Sequence, residues 1–376
     1  RWNTVNRRRI GVVAHAVGGP GGQERSLEDL VLGAAGLGYD VRVLAYSVSA
    51  EVSVNAEVTL LKQPAGPFWV RFLMFWFVST HQMKKYRAEG VPTLTCGGIT
   101  RVAPNAIWLH FWHEDHLRRT GWVCSRNGSL LRMINQTLSR SLALVAERRV
   151  LRSRGIRVWV VSVDMVELVT RKYPPAKVHV VSNPVAAATS QDYWAPDTRR
   201  TAFVFIGGEW GRKGLVRVAN ALSAVAEARE TGPFLLTILG PGDQKTLRKI
   251  RALPMLDIDH VPWTDRPTEW LRPAHAYVTA SKYETFCMAG HEALALGLPV
   301  LTTPVHGLAN AVASLDHGAV VGRSESELVH GVQAILDRQF EFQAQASRVR
   351  AAMHSLYGEK TLQQQREVAL HDLAEC

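Results

Sequence analysis

Short apolar runs alternate along the chain with amphipathic stretches, which predicts β-strands alternating with α-helices. In the first half, RRIGVVAHAV predicts a strand, GGPGGQER a glycine-rich loop, SLEDLVLGAAGLGYD a helix that starts near Ser26, and VRVLAYSV a second strand. A strand, a helix and a further strand form a βαβ unit, in which the two strands lie parallel.

The same order starts again after the polar, proline-containing stretch NPVAAATSQDYWAPDTRR. Here TAFVFIGG, PFLLTILGPG, AHAYVTAS and LPVLTTP predict buried strands, EWGRKG a loop and LVRVANALSAVAEARE a helix, and residues 323–376 predict helices with a cap near Ser324. A chain of 376 residues is long enough for two domains. We therefore predict an α/β protein with two Rossmann-like domains and mainly parallel sheets, whose ligands bind at the carboxyl ends of the strands.

The predicted boundaries follow from this repeat of the pattern. Residues 1–187 form the N-terminal domain and residues 200–355 the C-terminal domain. The last segment, residues 356–376, is expected to be a helix that crosses back to the N-terminal domain.

Positive charge is concentrated in the first half. Residues 1–187 hold 25 Lys and Arg against 12 Asp and Glu, an excess of 13, whereas residues 188–376 hold 19 against 21. Either this half is simply basic, or it has an anionic partner such as lipid headgroups, a phosphorylated acceptor or nucleic acid. No nucleic-acid recognition motif accompanies the charge, so nucleic acid is not expected.

The most aromatic stretch is FWVRFLMFWFV at residues 68–78, which is too short to cross a bilayer. It predicts a helix packed in the core of the first half. The alternative is an interfacial helix whose aromatic rings lie at the headgroup level, with Lys84, Lys85 and Arg87 facing acidic lipid.

The location of the protein is judged from its cysteines and its N-terminal segment. The four cysteines show no paired or metal-binding spacing, which indicates a reducing compartment. The apolar run in RRRIGVVAHAV is too short for a signal peptide and is interpreted as a buried strand. We expect a cytoplasmic protein, peripheral on the inner face of the membrane if residues 68–78 are interfacial.

Two carboxylates lie eight positions apart in SKYETFCMAGHEALALGLPV. The loop KYETFCM carries Glu284, and the helix AGHEALALG carries Glu292 and ends at Gly297. A helix N-terminus after a strand offers free N–H groups and the positive end of the helix dipole, which suit a diphosphate. Carboxylates on both sides of it can accept hydrogen bonds from hydroxyl groups, as a nucleotide sugar requires. A surface glutamate and an unrelated helix glutamate would show the same spacing.

The segment GRKG, residues 211–214, follows the first strand of the same half. Arg212 and Lys213 are therefore expected at the same sheet edge as Glu284. Two fixed cations can neutralise the charge that grows on a departing diphosphate. A solvated turn with two basic residues is the alternative.

The pattern S-x-x-E-x-F-x5-E-A-L-A-x-G-x-P-V, from Ser281 to Val300, resembles the signature of the retaining GT-B glycosyltransferases of family 4. FIGGEWGRKGL, GGQER, VVSNPV and HFWH resemble further segments of that family. The resemblance covers nearly the whole chain and is strongest over residues 200–310. It implies two Rossmann-like domains that face a central cleft, with the acceptor bound by the first and the nucleotide-sugar donor by the second.

The resemblance also implies site residues in the second domain. Glu284 would face the hydroxyl groups of the donor sugar, Glu292 would bind the nucleotide ribose, and Lys213, helped by Arg212, would hold the diphosphate. Backbone N–H groups at the helix start would bind the sugar and phosphate, and these belong to Thr285, Phe286, Cys287 and Met288.

In the first domain the resemblance implies roles for one glycine and one histidine. Gly22 would let the N-terminal loop approach the phosphate closely, since glycine has no side chain. His110 would lie beside the donor sugar, and His113 is the alternative because the register of HFWH is open. Side chains in LGPGD and HVPW of the second domain are expected to meet the base.

The chain departs from the family pattern at two positions. Gly208 stands where the family often has arginine, and Arg212 is expected to supply that charge from the other side of the loop. Cys287 stands where the family usually has glycine, which is expected to tighten the pocket and alter donor preference.

Two other motifs suggest different chemistry. The segment Asp257–Asp259 has the Asp-x-Asp pattern of a metal site, but it is expected at the edge of a strand. The diphosphate is already expected to be bound by cations and by a helix N-terminus. GGPGGQ is a loose dinucleotide-type loop without the full G-x-G-x-x-G or a following acidic residue. Neither a metal site nor a dehydrogenase is expected.

The resemblance implies a retaining hexosyltransferase that moves a sugar from a nucleotide sugar to a hydroxyl acceptor, without a metal ion or other cofactor. The basic first half favours an acidic, lipid-linked or glycan acceptor and an anionic membrane surface. The sequence leaves open whether the transfer serves cell-envelope glycans, glycolipids or natural products. The alternatives are an inactive sugar-nucleotide-binding subunit, an epimerase, or a phosphorylase, for which no cofactor lysine site is found.

Overall fold

The computed structural model describes residues 8–19, 21–121, 130–188, 192–197 and 199–376. It divides the chain into two compact units. Unit 1 is Arg1–Pro184 together with Glu359–Cys376, and unit 2 is Val185–Gly358.

Unit 1 is built on a seven-stranded parallel sheet. Its strands and those of a small parallel ladder are β1 (Arg9–Val13), β2 (Ala16–Val17), β3 (Asp40–Ala45), β4 (Ser47–Val48), β5 (Glu57–Leu60), β6 (Thr93–Cys96), β7 (Ala106–Leu109), β8 (Arg157–Val160) and β9 (Lys177–Val180). The order in the sheet is β5-β3-β1-β6-β7-β8-β9, and β2 pairs with β4. The run that imitates a signal peptide forms β1, as predicted.

Helices connect these strands. They are α1 (Gly22–Gly36), α2 (Ala50–Asn55), α3 (Phe68–Ala88), α4 (His113–Thr120), α5 (Leu130–Leu151) and α6 (Asp164–Lys172). The prediction that α1 starts near Ser26 is wrong, because the helix begins at Gly22 after an extended Gly21. Ser26 lies one turn inside, where its hydroxyl donates to the Gly22 carbonyl at 2.8 Å instead of capping the helix.

Helix α3 has one buried and one exposed face. Buried side chains recur at Phe72, Phe75, Met83 and Tyr86, and they pack in one core cluster with Val13 of β1. This spacing is that of a helix covering a sheet. The predicted core helix is therefore confirmed. Its outer face nevertheless exposes large apolar side chains, at Phe68, Met74, Phe77 and Val78.

Unit 2 repeats the architecture with a six-stranded parallel sheet in the order β12-β11-β10-β13-β14-β15. The strands are β10 (Ala202–Ile206), β11 (Phe234–Leu239), β12 (Leu256–Val261), β13 (Ala276–Val278), β14 (Val300–Thr302) and β15 (Gly318–Val320). The helices are α7 (Trp210–Lys213), α8 (Leu215–Arg229), α9 (Gln244–Arg251), α10 (Thr268–Leu271), α11 (Met288–Leu296), α12 (Leu308–Leu315), α13 (Glu325–Asp337) and α14 (Gln339–Tyr357). This strand order is that of a Rossmann fold.

Two local predictions in unit 2 have different outcomes. Ser324 caps α13 in a capping box with Glu327, as its position predicts. EWGRKG was predicted to be a loop, but it forms the one-turn helix α7, which ends at Gly214 with φ of +78°. A left-handed residue of this kind ends a helix, and glycine adopts it without strain.

The last helix, α15 (Glu359–Ala374), packs on unit 1. Asp372 pairs with Arg157 at 2.7 Å and with Lys177 at 3.1 Å, and these residues lie on β8 and β9. Arg366 pairs with Asp29 of α1.

No helix within the described residues is both long enough and apolar enough to cross a membrane. Cys96, Cys287 and Cys376 are free thiols, and Cys124 lies outside the described residues.

Candidate functional site

Two neighbouring strands of unit 2 bring the predicted residues to one sheet edge. Strand β10 lies between β11 and β13, where the strand order changes direction. Ligands of such sheets bind outside the carboxyl ends of the strands at this switch point. Arg212 and Lys213 follow β10 and Glu284 follows β13, so both segments lie at that point.

The three charged side chains meet at one carboxylate oxygen. Glu284 Oε1 lies 2.9 Å from Arg212 Nη1 and 3.0 Å from Lys213 Nζ. The hydroxyl of Ser281 donates to the same oxygen at 3.2 Å. Glu284 is only 12% exposed and Lys213 13%, so water screens these contacts weakly. Glu209, which is half exposed, pairs with Arg212 Nε at 2.6 Å.

Backbone hydrogen bonds fix the two loops against each other. The N–H of Ala280 donates to the Lys213 carbonyl at 3.0 Å, and the N–H of Lys282 donates to the Arg212 carbonyl at 2.8 Å. Arg212 Nη1 also donates to the Tyr283 carbonyl at 2.6 Å. The charged cluster is therefore held by main-chain contacts as well as by its own ion pairs.

Glycine at position 207 leaves room for the lysine. Gly207 has φ of +135°, and a Cβ atom built there would lie 2.5 Å from Lys213 Cε. Any side chain would thus displace Lys213 from Glu284. At Gly208, where the family often has arginine, a Cβ would lie 3.2 Å from Pro241 Cγ, so this position is also tightly packed.

Charge pairing keeps Glu284 ionised. Burial by itself raises the pKa of this carboxyl group, but attraction by Arg212 and Lys213 outweighs burial and lowers the pKa from 4.5 to about 2. Burial lowers the pKa of Lys213, and the charge of Glu284 outweighs that effect and raises it overall. At neutral pH the buried part of the cluster therefore holds two cations and one anion.

Helix α11 starts beside this cluster with an unusual backbone. Cys287 caps the helix with φ of +67° and is buried. This is the position where the family usually has glycine, and the left-handed conformation explains that preference. Burial raises the pKa of the Cys287 thiol, and Lys213 opposes the rise.

An aromatic stack supports the segment before α11. The rings of Phe286 and His291 are parallel, with centroids 3.9 Å apart. Tyr357, the last residue of α14, contacts both rings edge-on at 5.5 and 5.1 Å. Thr285 is buried and Met288, the first residue of α11, is half-buried. Glu292 is buried one helical turn after Met288, on the same face of α11.

The loops predicted to meet the base follow β11 and β12. His260 Nε2, near the end of β12, lies 3.0 Å from the Gly240 carbonyl oxygen, which ties the loop after β11 to β12. Asp243 caps α9 by accepting from the N–H of Thr246 at 2.8 Å, and Trp263 is 65% exposed.

The remaining predicted residues, Gly22 and His110, lie in unit 1. Gly22 is the first residue of α1, and His110 directly follows β7. Burial lowers the pKa of His110 to about 3, so its ring is neutral at physiological pH. His113, the alternative, begins α4 and lies with Nδ1 3.1 Å from Glu147 Oε2.

Several residues of these sites were not singled out from the sequence. Ser281 begins the signature pattern without an assigned role, and Gly207 lies in FIGG. Glu147 is fully buried and accepts from the backbone N–H groups of His113 and Glu114 at 3.1 Å. The one feature of the sequence that could have indicated Glu147 is that it is the single acidic residue in the stretch SLALVAERRV.

The Asp-x-Asp segment lies on the edge strand β12, as predicted. Asp257 and Asp259 are both exposed, and Asp257 pairs with Arg200. The described ranges contain no group of three or more His, Cys, Asp or Glu residues that could hold a metal ion.

Comparison with known proteins identifies the family. A family model described as "Glycosyl transferase 4-like domain" matches residues 21–184, and one described as "Glycosyl transferases group 1" matches residues 200–338. The glycogen synthase of Mycobacterium tuberculosis (strain ATCC 25618 / H37Rv) is 28% identical over 391 residues, which cover 91% of this chain and 89% of that protein. A D-inositol 3-phosphate glycosyltransferase of Jonesia denitrificans is 32% identical over 169 residues, which cover 39% of this chain and 40% of that protein.

Solved structures show the same fold. WaaG, a glycosyltransferase involved in lipopolysaccharide biosynthesis, has a TM-score of 0.72 at 17% identity, covering 96% of this chain and 98% of WaaG. The sucrose-phosphate synthase of Thermosynechococcus elongatus has a TM-score of 0.73 at 15% identity, covering 98% of this chain and 99% of the synthase chain. The two matched models together span most of the chain, on two Rossmann-type sheets. The chain therefore belongs to the group 1 glycosyltransferases, the family 4 enzymes of GT-B fold that transfer a sugar from a nucleotide sugar.

Proposed function

We propose that unit 2 binds a nucleotide-diphosphate sugar and that unit 1 binds the acceptor of a retaining, metal-independent hexosyl transfer. The observation that carries this proposal is the Glu284–Arg212–Lys213 cluster at the switch point of the unit 2 sheet. Two largely buried cations that share one carboxylate can turn toward a diphosphate without reorganising the loops.

In this mechanism the acceptor oxygen forms a bond to the anomeric carbon on the face that the diphosphate leaves. The bond between that carbon and the diphosphate oxygen breaks, and the proton of the acceptor hydroxyl passes to a diphosphate oxygen. Arg212 and Lys213 stabilise the charge that develops on the leaving group, and the first N–H groups of α11 add hydrogen bonds and the helix dipole. Glu284 orients both cations and accepts from sugar hydroxyl groups.

Charge neutralisation by Arg212 and Lys213 is the argument for metal independence. Such cations can take the place that a divalent ion holds in other phosphate-transfer sites. Turnover should therefore be unchanged by EDTA and unaffected by added Mg²⁺ or Mn²⁺. An activity that disappears in EDTA and returns with one of these ions would contradict this part of the proposal.

The place of His110 beside the donor sugar and the phosphate contact of Gly22 stay predictions from the family. His110→Ala and His113→Ala are the matched pair that separates the two histidines. His113 is already held by Glu147, so we expect His110→Ala to reduce turnover and His113→Ala to reduce mainly stability.

The function is tested with a donor panel of UDP-, GDP-, ADP- and TDP-sugars. Donor binding is measured by thermal shift, and slow nucleotide release is measured without acceptor. A donor that both stabilises the protein and is hydrolysed supports sugar transfer, and the configuration of the released sugar reports retention. Sugar interconversion without acceptor would instead indicate an epimerase. Failure of all donors to bind would remove the proposed donor site.

We further propose that unit 1 reaches an acceptor at an anionic membrane surface through the outer face of α3. Phe77 is 55% exposed and Phe68 46%, and Lys84, Lys85 and Arg87 follow on exposed positions of the same helix. Apolar side chains beside cations fit the headgroup region of an acidic bilayer. A cytoplasmic location is part of this proposal.

Vesicle sedimentation tests this surface. Binding to vesicles with anionic lipid should exceed binding to neutral vesicles and should decrease in Phe77→Ser. Phe340→Ser, at an 84% exposed position of α14, is the matched control and should bind as the wild type does. Equal binding to both kinds of vesicle, or equal loss in both variants, would contradict the proposal.

A further inference from the structure

A cavity lies in unit 1 among α4, α5 and α6. Its volume is about 570 Å³, and it is lined by four cations, two carboxylates, a tryptophan and two leucines. The cations are Arg118, Arg148, Arg171 and Lys172. Neither Gly22 nor His110 lines it, and it lies in a different unit from the Glu284 cluster.

One of the two carboxylates at this cavity, Glu114, fixes two of the cations in place. Glu114 Oε1 lies 2.9 Å from Arg148 Nε and 3.2 Å from Lys172 Nζ. The hydroxyl of Tyr173 donates to the other oxygen of Glu114. Glu114 is buried and saturated by these donors, so it acts as an anchor for the cations.

The same cations keep donor groups for a further ligand. Arg148 uses Nε for Glu114, and within the described part of the chain its two terminal amino groups have no other partner. Among the described residues Arg171 makes one ion pair, with its Nη1 4.0 Å from Oε1 of the exposed Glu167. Arg118 binds Asp115 through Nε and Nη2, at 3.1 and 2.6 Å. The cavity thus presents two guanidinium groups held by carboxylates, those of Arg148 and Arg118, beside the more exposed Arg171, and guanidinium groups suit planar recognition of phosphate oxygens.

We infer that this cavity binds the phosphate monoester group of a small, sugar-sized molecule. The four cations exceed the two carboxylates by two charges, which matches the charge of about −1.5 to −2 that a phosphate monoester carries at pH 7. The volume lies within the usual range of small-ligand sites, and Trp112, Leu117 and Leu168 offer an apolar wall for the carbon body.

Isothermal titration of the full chain tests the inference, with glucose 6-phosphate as the probe and inorganic phosphate and glucose as comparisons. The wild type should bind glucose 6-phosphate more tightly than inorganic phosphate, and glucose should not bind. Inorganic phosphate that binds as tightly as glucose 6-phosphate would contradict a site for the whole molecule.

Variants assign the binding to this cavity. Arg148→Gln should weaken glucose 6-phosphate binding by about tenfold or more, because it removes two charge-assisted donors. The Arg148→Gln substitution also removes one ion-pair partner of the buried Glu114. Arg171→Gln is therefore the second variant. Arg171 has only a long ion pair with an exposed partner, so its replacement should weaken binding without lowering the unfolding temperature. Arg251→Gln, on an exposed position of α9 in unit 2, is the control for an equal change of charge.

The diphosphate site proposed in unit 2 is the competing location for any phosphate. Lys213→Met should leave glucose 6-phosphate binding intact if the cavity in unit 1 is the site. Binding that persists in Arg148→Gln and Arg171→Gln but disappears in Lys213→Met would overturn the inference and assign the probe to unit 2. This test is independent of turnover, so an inactive donor site would not affect its outcome.

Discussion

Lys213 Nζ and Glu284 Oε1 lie 3.0 Å apart, although 71 positions separate the two residues in the chain. The contact exists because β10 and β13 are neighbours at the switch point of the sheet. Each residue follows one of these strands, so the parallel sheet brings the two loops to one edge.

The first prediction concerns the acid stability of this pair. The folded pKa of Glu284 is about 2, below the ordinary value of 4.5, so the unfolded chain binds more protons between these values. The stabilisation is therefore complete above about pH 5 and is lost as pH falls toward 2. A shift of this size is worth about 3 kcal/mol.

Urea unfolding of wild type and Glu284→Gln at several pH values measures this effect. We expect the difference in unfolding free energy between the two proteins to fall by about 3 kcal/mol as the pH is lowered from 7 to 2, mostly between pH 4.5 and 2. Asp372, whose pKa is also about 2, is present in both proteins and cancels from the comparison. A gap that stays constant from pH 7 to pH 3 would show that Glu284 is not stabilised by its charge.

The second prediction concerns the space that Gly207 leaves for Lys213. Gly207→Ala should displace the lysine, weaken nucleotide-sugar binding and slow donor cleavage by about tenfold or more, since the cation would be misplaced. Gly232→Ala is the control, because Gly232 has φ of +92° and nothing lies within 4 Å of its added Cβ. Both variants should lose stability from backbone strain, but only Gly207→Ala should lose activity. Equal kinetic parameters in the two variants would count against the account of Gly207.

The third prediction concerns the left-handed backbone of Cys287. Both Cys287→Gly and Cys287→Ala remove the thiol, but only glycine relieves the steric cost at φ of +67°. The glycine variant should therefore be more stable than the alanine variant by about 1 kcal/mol. Unfolding midpoints in urea provide the comparison. An alanine variant as stable as the glycine variant would mean that the position carries no backbone strain.

The fourth prediction concerns the support of the donor loop by Tyr357. Tyr357→Ala removes two edge-on ring contacts, to Phe286 and His291, each worth about 1 kcal/mol. We expect lower stability and weaker donor binding, because the segment before α11 loses its packing. Tyr357→Phe keeps the ring and should restore both properties. If the phenylalanine variant is as impaired as the alanine variant, the hydroxyl group and not the ring is responsible.

Much of the fold was predictable because it rests on local patterns. The predicted apolar runs became β1 and β3 of the first sheet and β10, β11, β13 and β14 of the second, and Glu284 lies in a loop and Glu292 in a helix, as predicted. Gly297 ends α11 with φ of +83°, as its position after the last apolar residue predicts.

The remaining features depend on contacts between distant segments, which a local pattern does not carry. The start of α1 at Gly22 has no side-chain cap, and the Ser26 hydroxyl one turn later lies 3.1 Å from Oδ1 of Asn183, 157 positions away. The burial of Glu147 follows from its bonds to the first N–H groups of α4, 33 and 34 positions away. Gly207 is needed because its φ is +135° and because the side chain of Lys213 passes over it, and no spacing rule reveals either reason.

In the proposed mechanism Lys213 and Arg212, held by Glu284, bind the diphosphate of the donor. The most direct measurement is the affinity for the nucleoside diphosphate of the preferred donor, by titration calorimetry, in Lys213→Met and Lys282→Met. Lys282 lies two positions before Glu284 and is exposed, so it is a matched control in the same loop. We expect the affinity to decrease by about tenfold or more in Lys213→Met and to change by less than about twofold in Lys282→Met. Wild-type affinity in both variants would contradict the account.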